Sequence, residues 1–376
     1  MQNASLMKGL VVGIILLLLG SNISFVSSEV LKNKNYSFNL LSYYHKYTKE
    51  IYNIETKDGF SVILTRYVGS KRLSIMLIHG MSCNHKIFDW DENHSLARFL
   101  NNDDWDVWML DLRTHDGDGD FWFGELRGME SDREPICRYW DFDRTYLQKD
   151  VETAVAFVLN MSQYKQIILG GHSYGGYLAY AYAESIGQKN LAGILTTDAS
   201  ALANPFSYSF LERCKYGIRI GKKAFVRPCG IPFSHMPKFR LDRLAGNPIP
   251  GLFNTTPLFI QKQAVYSLDD EPAGVWVDMF FGKDPRYHSG HWVDPQTLYD
   301  YTANLKAISV PALFIAGGED NQDPSNDIFS TFENVSSEPK LFLNFPGYAH
   351  IDLLLGENAS VDVFPHITSW LNLLSI

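Results

Sequence analysis

The sequence has no surplus of basic residues. Its 376 residues carry 33 Lys and Arg against 42 Asp and Glu, a formal net charge of −9. That argues against a general nucleic-acid binder, because phosphate recognition leaves a Lys/Arg excess. Charged residues are also scarce, at 20%, while 45% are hydrophobic and 14% aromatic. A chain with so much apolar surface to bury is expected to fold. There is no CxxC pair, so a zinc knuckle has no support, and His115, His288 and His291 have no second ligand at metal spacing. No internal repeat is visible, and no cofactor is expected.

Only four cysteines occur, Cys83, Cys137, Cys214 and Cys229. Four allow two disulfides in three pairings that spacing does not separate, or four buried thiols; Cys214 with Cys229 would close a short loop. Residues 1–28 have the layout of a secretory signal peptide: Lys8, an uncharged run from Gly9 to Gly20, then Ser21, Asn22 and Ser24, with Val26 and Ser28 before Glu29. Signal h-regions span about 7–15 apolar residues. The alternative is an uncleaved membrane anchor over residues 9–28, which approaches the roughly 20 residues of a spanning helix. In either form the folded part is exported, and sequons at Asn35, Asn93, Asn160, Asn254, Asn334 and Asn358 fit an exported chain.

What is present beyond that segment alternates between strand and helix patterns. Ile51–Val62, interrupted by Lys57-Asp58-Gly59, reads as two strands and a tight turn. Short apolar runs at Leu73–Ile78, Asp106–Leu110, Gln166–Leu169, Ala192–Thr197, Ala312–Ala316 and Leu341–Phe345 suit strands covered on both faces. Helical spacing appears at Ser95–Asn101, Tyr146–Leu159, Gly175–Ser185 and Val363–Leu374. The expected class is α/β, a doubly wound, mostly parallel sheet. Residues 199–305 break the alternation with many prolines and aromatics and read as an inserted, mostly helical cap over the site. The core then comprises residues 29–198 and 306–376.

Gly171-His172-Ser173-Tyr174-Gly175 contains G-x-S-x-G between an apolar strand and a small-residue helix. A sharp strand-to-helix turn presents the central side chain at the sheet edge, and large flanking side chains would clash with the turning backbone. A serine hydroxyl needs a base and an orienting acid to become a nucleophile. Asp320 lies 147 residues after Ser173, and His350 another 30 further on, each just past a strand. Asp323, Glu319 and Asp198 are rival acids. His366, inside the last helix, and His172, on the turn itself, are weaker bases; His115, His288 and His291 read as surface or cap residues. Backbone N–H groups of Tyr174 and of Met81, in the His79-Gly80-Met81-Ser82 loop, are the expected oxyanion donors. Asp116, Asp118 and Asp120 alternate with glycines, but Phe121 and Arg127 stand where an EF-hand needs Gly and Glu, so a solvated acidic loop is the default.

Seven motifs together carry a resemblance: Asp58-Gly59, His79-Gly80-Met81, Asp111-Leu112-Arg113, Tyr139-Trp140-Asp141-Phe142, the Ser173 pentapeptide, Gly317-Gly318-Glu319-Asp320, and Tyr348-Ala349-His350-Ile351-Asp352. Over about residues 54–374 the chain resembles the α/β-hydrolase superfamily, most of all its acid-lipase and cap-bearing serine esterase branch. The resemblance implies a triad of Ser173, Asp320 and His350, oxyanion donors at Met81 and Tyr174, no metal, and a small-molecule or lipid-like ester as substrate. Thr114 departs from the Gly often found after that arginine. The expected activity is an exported serine hydrolase cleaving carboxylic esters. A peptidase, thioesterase or acyltransferase using the same triad is the alternative, as is a non-catalytic binding protein on this scaffold.

Overall fold

Alternating apolar residues on either side of Lys57-Asp58-Gly59 produce the first hairpin. Strands β1 (Lys49–Glu55) and β2 (Ser61–Tyr67) pair antiparallel, from Lys49 opposite Tyr67 to Glu55 opposite Ser61. Gly59 takes φ +82° in the turn, a conformation that costs a residue without Cβ little. The turn is closed by Gly59 N–H donating to Thr56 O and by Thr56 Oγ1 donating to Asp58 at 2.6 Å.

The computed structural model describes residues 47–70, 73–113, 115, 142–162, 164–202, 230–231, 251–261, 271–272, 290–294 and 297–374. After the hairpin come β3 (Ser74–Ile78), β4 (Asp106–Asp111), β5 (Ile167–His172), β6 (Leu191–Thr197), β7 (Gly230–Ile231), β8 (Glu271–Pro272), β9 (Ala312–Gly317) and β10 (Lys340–Phe345). Eight of these form one sheet in the order β1-β2-β4-β3-β5-β6-β9-β10, while β7 and β8 make a separate antiparallel ribbon. From β4 to β10 every neighbouring pair is parallel; β2 joins β4 antiparallel.

Side chains alternate between the two faces with the period of a strand. Met76, Ile78, Phe314 and Ala316 enter one core, Ile75, Leu77, Leu313 and Ile315 the other. The first face is covered by α2 (Glu152–Met161), α3 (Tyr174–Tyr182) and α4 (Ser325–Asn334), the second by α1 (Leu96–Asn102) and α5 (Phe364–Leu374), as the buried Val155, Leu178 and Ile328 and the buried Leu100, Phe364 and Trp370 record. Ser95 caps α1, its hydroxyl accepting from Arg98 N–H at 3.0 Å, and a wider π-wound segment, Phe142–Val151, leads into α2.

Because the chain runs from β3 to β4 on one side and returns to β5 on the other, the order reverses between β3 and β5. Ligands in open α/β sheets bind outside the carboxyl ends of the strands at such a switch point. The loops that leave β3 and β5 begin at His79 and Ser173.

Several expectations lie outside the described residues: the N-terminal segment 1–28, Cys137, Cys214 and Cys229, His288, the acidic loop at 116–120, and most of the cap. Among the described residues no helix is long and apolar enough to cross a membrane. Two described parts of the expected cap sit on the core. His350 N–H donates to Gly251 O and Ile351 N–H to Leu252 O, and Trp292 packs edge-on against Tyr177 with ring centroids 4.8 Å apart.

Candidate active site

The turn between β5 and α3 holds Ser173 at φ 51°, ψ −121°. A positive φ is uncommon for a residue with a side chain and is kept only where its surroundings over-determine it. Here they do: Ser173 N–H donates to Thr197 O at 2.9 Å, and Gly176 N–H to Ser173 O at 2.8 Å. The flanking glycines answer a steric demand. A Cβ on Gly175 would lie 2.0 Å from Ile78 O, and one on Gly171 would lie 2.1 Å from the Gly175 carbonyl carbon. The hydroxyl-bearing residue is partly exposed although its neighbours are buried. It stands at the N-terminus of α3, where unpaired N–H groups favour negative charge.

The loop after β3 runs against this turn. A Cβ on Gly80 would come within 3.3 Å of Ser173 Cβ, which places Gly80 beside the serine, with Met81 the next residue along the loop. His79 pins the loop. Leu112 N–H donates to its Nε2 at 3.2 Å, so the proton sits on Nδ1, which donates to Gly80 O at 2.7 Å. Asp111 holds the far end by accepting from His85 N–H and Nδ1, each at 2.6 Å. His115 is a correction to the sequence reading: it is buried, with its ring 4.7 Å from that of His79. It packs against this loop instead of facing solvent.

Asp320 follows β9 and His350 follows β10, and the two meet. His350 Nδ1 donates to Asp320 Oδ2 at 2.7 Å, while Asp320 Oδ1 accepts from Gln322 N–H at 2.6 Å and Asp323 N–H at 3.1 Å. Both side chains are buried. Burial lowers the affinity of His350 for a proton, but the charge and hydrogen bond of Asp320 more than offset this, so its pKa is raised. The bond occupies Nδ1 and leaves Nε2 as the basic nitrogen. The His350 ring lies 4.8 Å from that of His172, the residue before the serine. Among the described residues no hydrogen bond joins Ser173 to His350; such contacts are often long without substrate and tighten when it binds.

The rival acids are placed otherwise. Glu319 is exposed. Asp323 accepts from Tyr177 Oη at 2.8 Å and from the Ser200 hydroxyl at 2.7 Å, and burial followed by the charge of Asp320 raises it to about 6. Asp198 is wholly buried and accepts from Gly317 N–H at 2.7 Å. His366 is exposed on α5, and His291 pairs with Asp300 at 2.9 Å. His172 is buried, and burial and the charge of His350 push its pKa well below the usual value, so it stays neutral. Sequence reasoning missed one positioning residue, Asp352. Its buried carboxylate accepts from Ala349, Asn254, Thr255 and Thr256 N–H and from the Thr256 hydroxyl, clamping the His350 loop to segment 251–261. The His-x-Asp spacing was visible in the sequence, but the partners that give it meaning lie about a hundred residues away.

As to metal, Asp198, Asp320 and His350 offer atoms within 4.8 Å of one another. His350 Nδ1 is already committed to Asp320, and an ion there would have to break that bond.

The Alpha/beta hydrolase family profile matches residues 75–363. The chain belongs to this family. Triacylglycerol lipase 1 of Arabidopsis thaliana is 24% identical to this alpha/beta hydrolase over 93% of the chain and 91% of the relative. Lysosomal acid lipase/cholesteryl ester hydrolase of Macaca fascicularis is 27% identical over 90% of each. Among solved structures, an esterase from Exiguobacterium antarcticum superposes with a TM-score of 0.56 at 15% identity, covering 85% of this chain and 98% of the other, a likeness of fold. This alpha/beta hydrolase thus resembles lipases and esterases along nearly its whole length.

Proposed function

We propose that this alpha/beta hydrolase is an exported serine hydrolase that cleaves carboxylic esters, with a lipid-like or other small apolar ester as substrate. The observation that carries the reading is the 2.7 Å bond from His350 Nδ1 to Asp320, formed at the sheet edge where Ser173 is held in its strained turn. The curated relatives, which are lipases and ester hydrolases by name, favour an ester over an amide or thioester.

In this reading Ser173 Oγ attacks the ester carbonyl carbon while His350 Nε2 takes the hydroxyl proton. The carbonyl oxygen becomes an oxyanion facing the backbone N–H groups of Met81 and Tyr174. As the carbon–oxygen bond to the alcohol breaks, the imidazolium gives its proton to the departing oxygen, leaving an acyl-enzyme on Ser173. Water, deprotonated by His350, then attacks the acyl carbon; the acid leaves and the serine regains its proton. Asp320 keeps the imidazole in the tautomer whose Nε2 is basic and stabilises its charged form.

The test is hydrolysis of chromogenic acyl esters of graded chain length, with fluorophosphonate labelling. Wild type is expected to turn over ester and take up the probe, and Ser173→Ala to lose both. Full activity in Ser173→Ala would overturn the reading. Export is part of the proposal and is supported by the composition of residues 1–28; mass spectrometry of the mature N-terminus, expected near Glu29, checks it.

A further inference from the structure

Asp198 follows β6 with φ 46°, beside the strand that delivers Asp320. Its N–H donates to Ile315 O at 2.8 Å, and its Oδ1 accepts from Gly317 N–H at 2.7 Å, so its position is set by β9. Its second oxygen, Oδ2, is sealed from solvent with no hydrogen-bond donor among the described residues. What lies near is another acceptor, because Asp198, Asp320 and His350 place one polar atom each within 4.8 Å of the others. Two ionised carboxylates at this separation in a buried site repel each other, and the unsatisfied oxygen adds its own desolvation cost. One shared proton removes both problems. Asp320 is the acceptor of the pair, since it already accepts from His350 Nδ1 and from two backbone N–H groups.

We propose that Asp198 is a positioning residue: a neutral carboxylic acid whose Oδ2 proton is donated to the Asp320 carboxylate, holding it aimed at His350. The inference rests on the triad reading given above. Burial, followed by the charge of Asp320, pushes the Asp198 carboxyl well above the usual range, in keeping with this role. Among the described residues the other titratable groups here are His350, bonded to Asp320, Asp323, from the same loop as Asp320, and His172, at the end of β5, whose ring packs on that of His350. A neutral Asp198 adds no negative charge beside His350. It also draws electron density from Asp320, so removing it makes Asp320 a stronger acceptor and His350 more basic.

The experiment compares wild type, Asp198→Asn and Asp198→Ala in full-length protein, by pH profiles of ester hydrolysis and by carbon NMR of protein labelled at the aspartate carboxyl. An amide can still donate to Asp320 and accept from Gly317, so Asp198→Asn is expected to keep kcat/KM within about threefold of wild type. Asp198→Ala is expected to lose about tenfold or more, with its acidic limb moved to higher pH. One protonated aspartate carboxyl signal, present at neutral pH, should vanish in Asp198→Asn. The proposal is overturned if Asp198→Asn is as impaired as Asp198→Ala, if its acidic limb moves to lower pH, or if no protonated signal is lost. It is also overturned if a chelator abolishes activity and zinc restores it, which would put an ion where the proton is assigned. Should wild type neither hydrolyse esters nor take the fluorophosphonate, the proposed function fails, while the carboxyl signal still decides whether Asp198 holds a proton.

Discussion

Replacing Asp352 by Asn tests whether the His350 loop is held by a single buried carboxylate. In the wild type Oδ2 accepts from Asn254, Thr255 and Ala349 N–H at 2.8–2.9 Å, and Oδ1 from Thr256 N–H at 2.8 Å and the Thr256 hydroxyl at 2.6 Å. An asparagine must turn its NH2 toward one of these sets. In the better orientation it faces the two Thr256 donors, of which the hydroxyl can rotate away and the N–H cannot. At least two bonds to a charged acceptor are then lost, and hydrogen bonds to charged groups are worth about 1.5–3 kcal/mol each. The expected loss of stability is about 4 kcal/mol, a large share of the roughly 5–15 kcal/mol of a typical domain. The measurement is urea unfolding at constant m-value, with kcat/KM taken below the transition. Because Ala349 adjoins His350, kcat should fall by about tenfold with KM little changed. A variant that unfolds within about 1 kcal/mol of wild type and keeps its kcat would refute the clamp.

Two further expectations use the same geometry. Gly175→Ala drives a Cβ to within 2.0 Å of Ile78 O, a backbone atom with little room to yield, and should cost more than about 3 kcal/mol. Gly59→Ala, whose Cβ meets nothing within 4 Å but whose φ is +82°, should cost only about 1 kcal/mol; equal melting of the two variants would contradict the packing argument. For pH, the base in the proposed mechanism is neutral His350, whose proton affinity in the folded protein is raised above the ordinary 6.5. Activity therefore falls as pH drops through that raised value, placing the acidic limb of kcat/KM above 6.5. The charge of Asp323 contributes to the rise, so Asp323→Asn should move the limb to lower pH; a profile flat down to pH 5 in wild type would count against the assignment of the base.

Most of the sheet is legible in the sequence. The runs at 73–78, 106–110, 192–197, 312–316 and 341–345 each became a strand within a residue or two; the first four are buried on both faces, which leaves uninterrupted apolar stretches, whereas the last, expected to be covered on both faces, is an edge strand with Leu341 exposed. The hairpin followed from Asp58-Gly59, whose glycine takes the left-handed conformation the turn requires. His115 was misjudged, since an isolated histidine beside an acidic stretch carries no local sign that its ring will stack on His79.

The sequence alone marked the turn around Ser173, since G-x-S-x-G between an apolar strand and a small-residue helix is a local pattern, although the space that demands Gly175 is set by Ile78 O arriving from β3. It also pointed to His350 as the candidate base and to Asp320, ahead of Asp323, Glu319 and Asp198, as the candidate acid. Which carboxylate faces the imidazole, that Asp198 backs it with an unsatisfied oxygen, and that Asp352 ties the histidine loop to segment 251–261 were decided by tertiary structure. The reason is distance along the chain. A side chain's protonation and orientation depend on the groups packed around it, and here those groups arrive from strands and loops far apart in the chain, as Asp198 and Gly317 are at a separation of 119 residues.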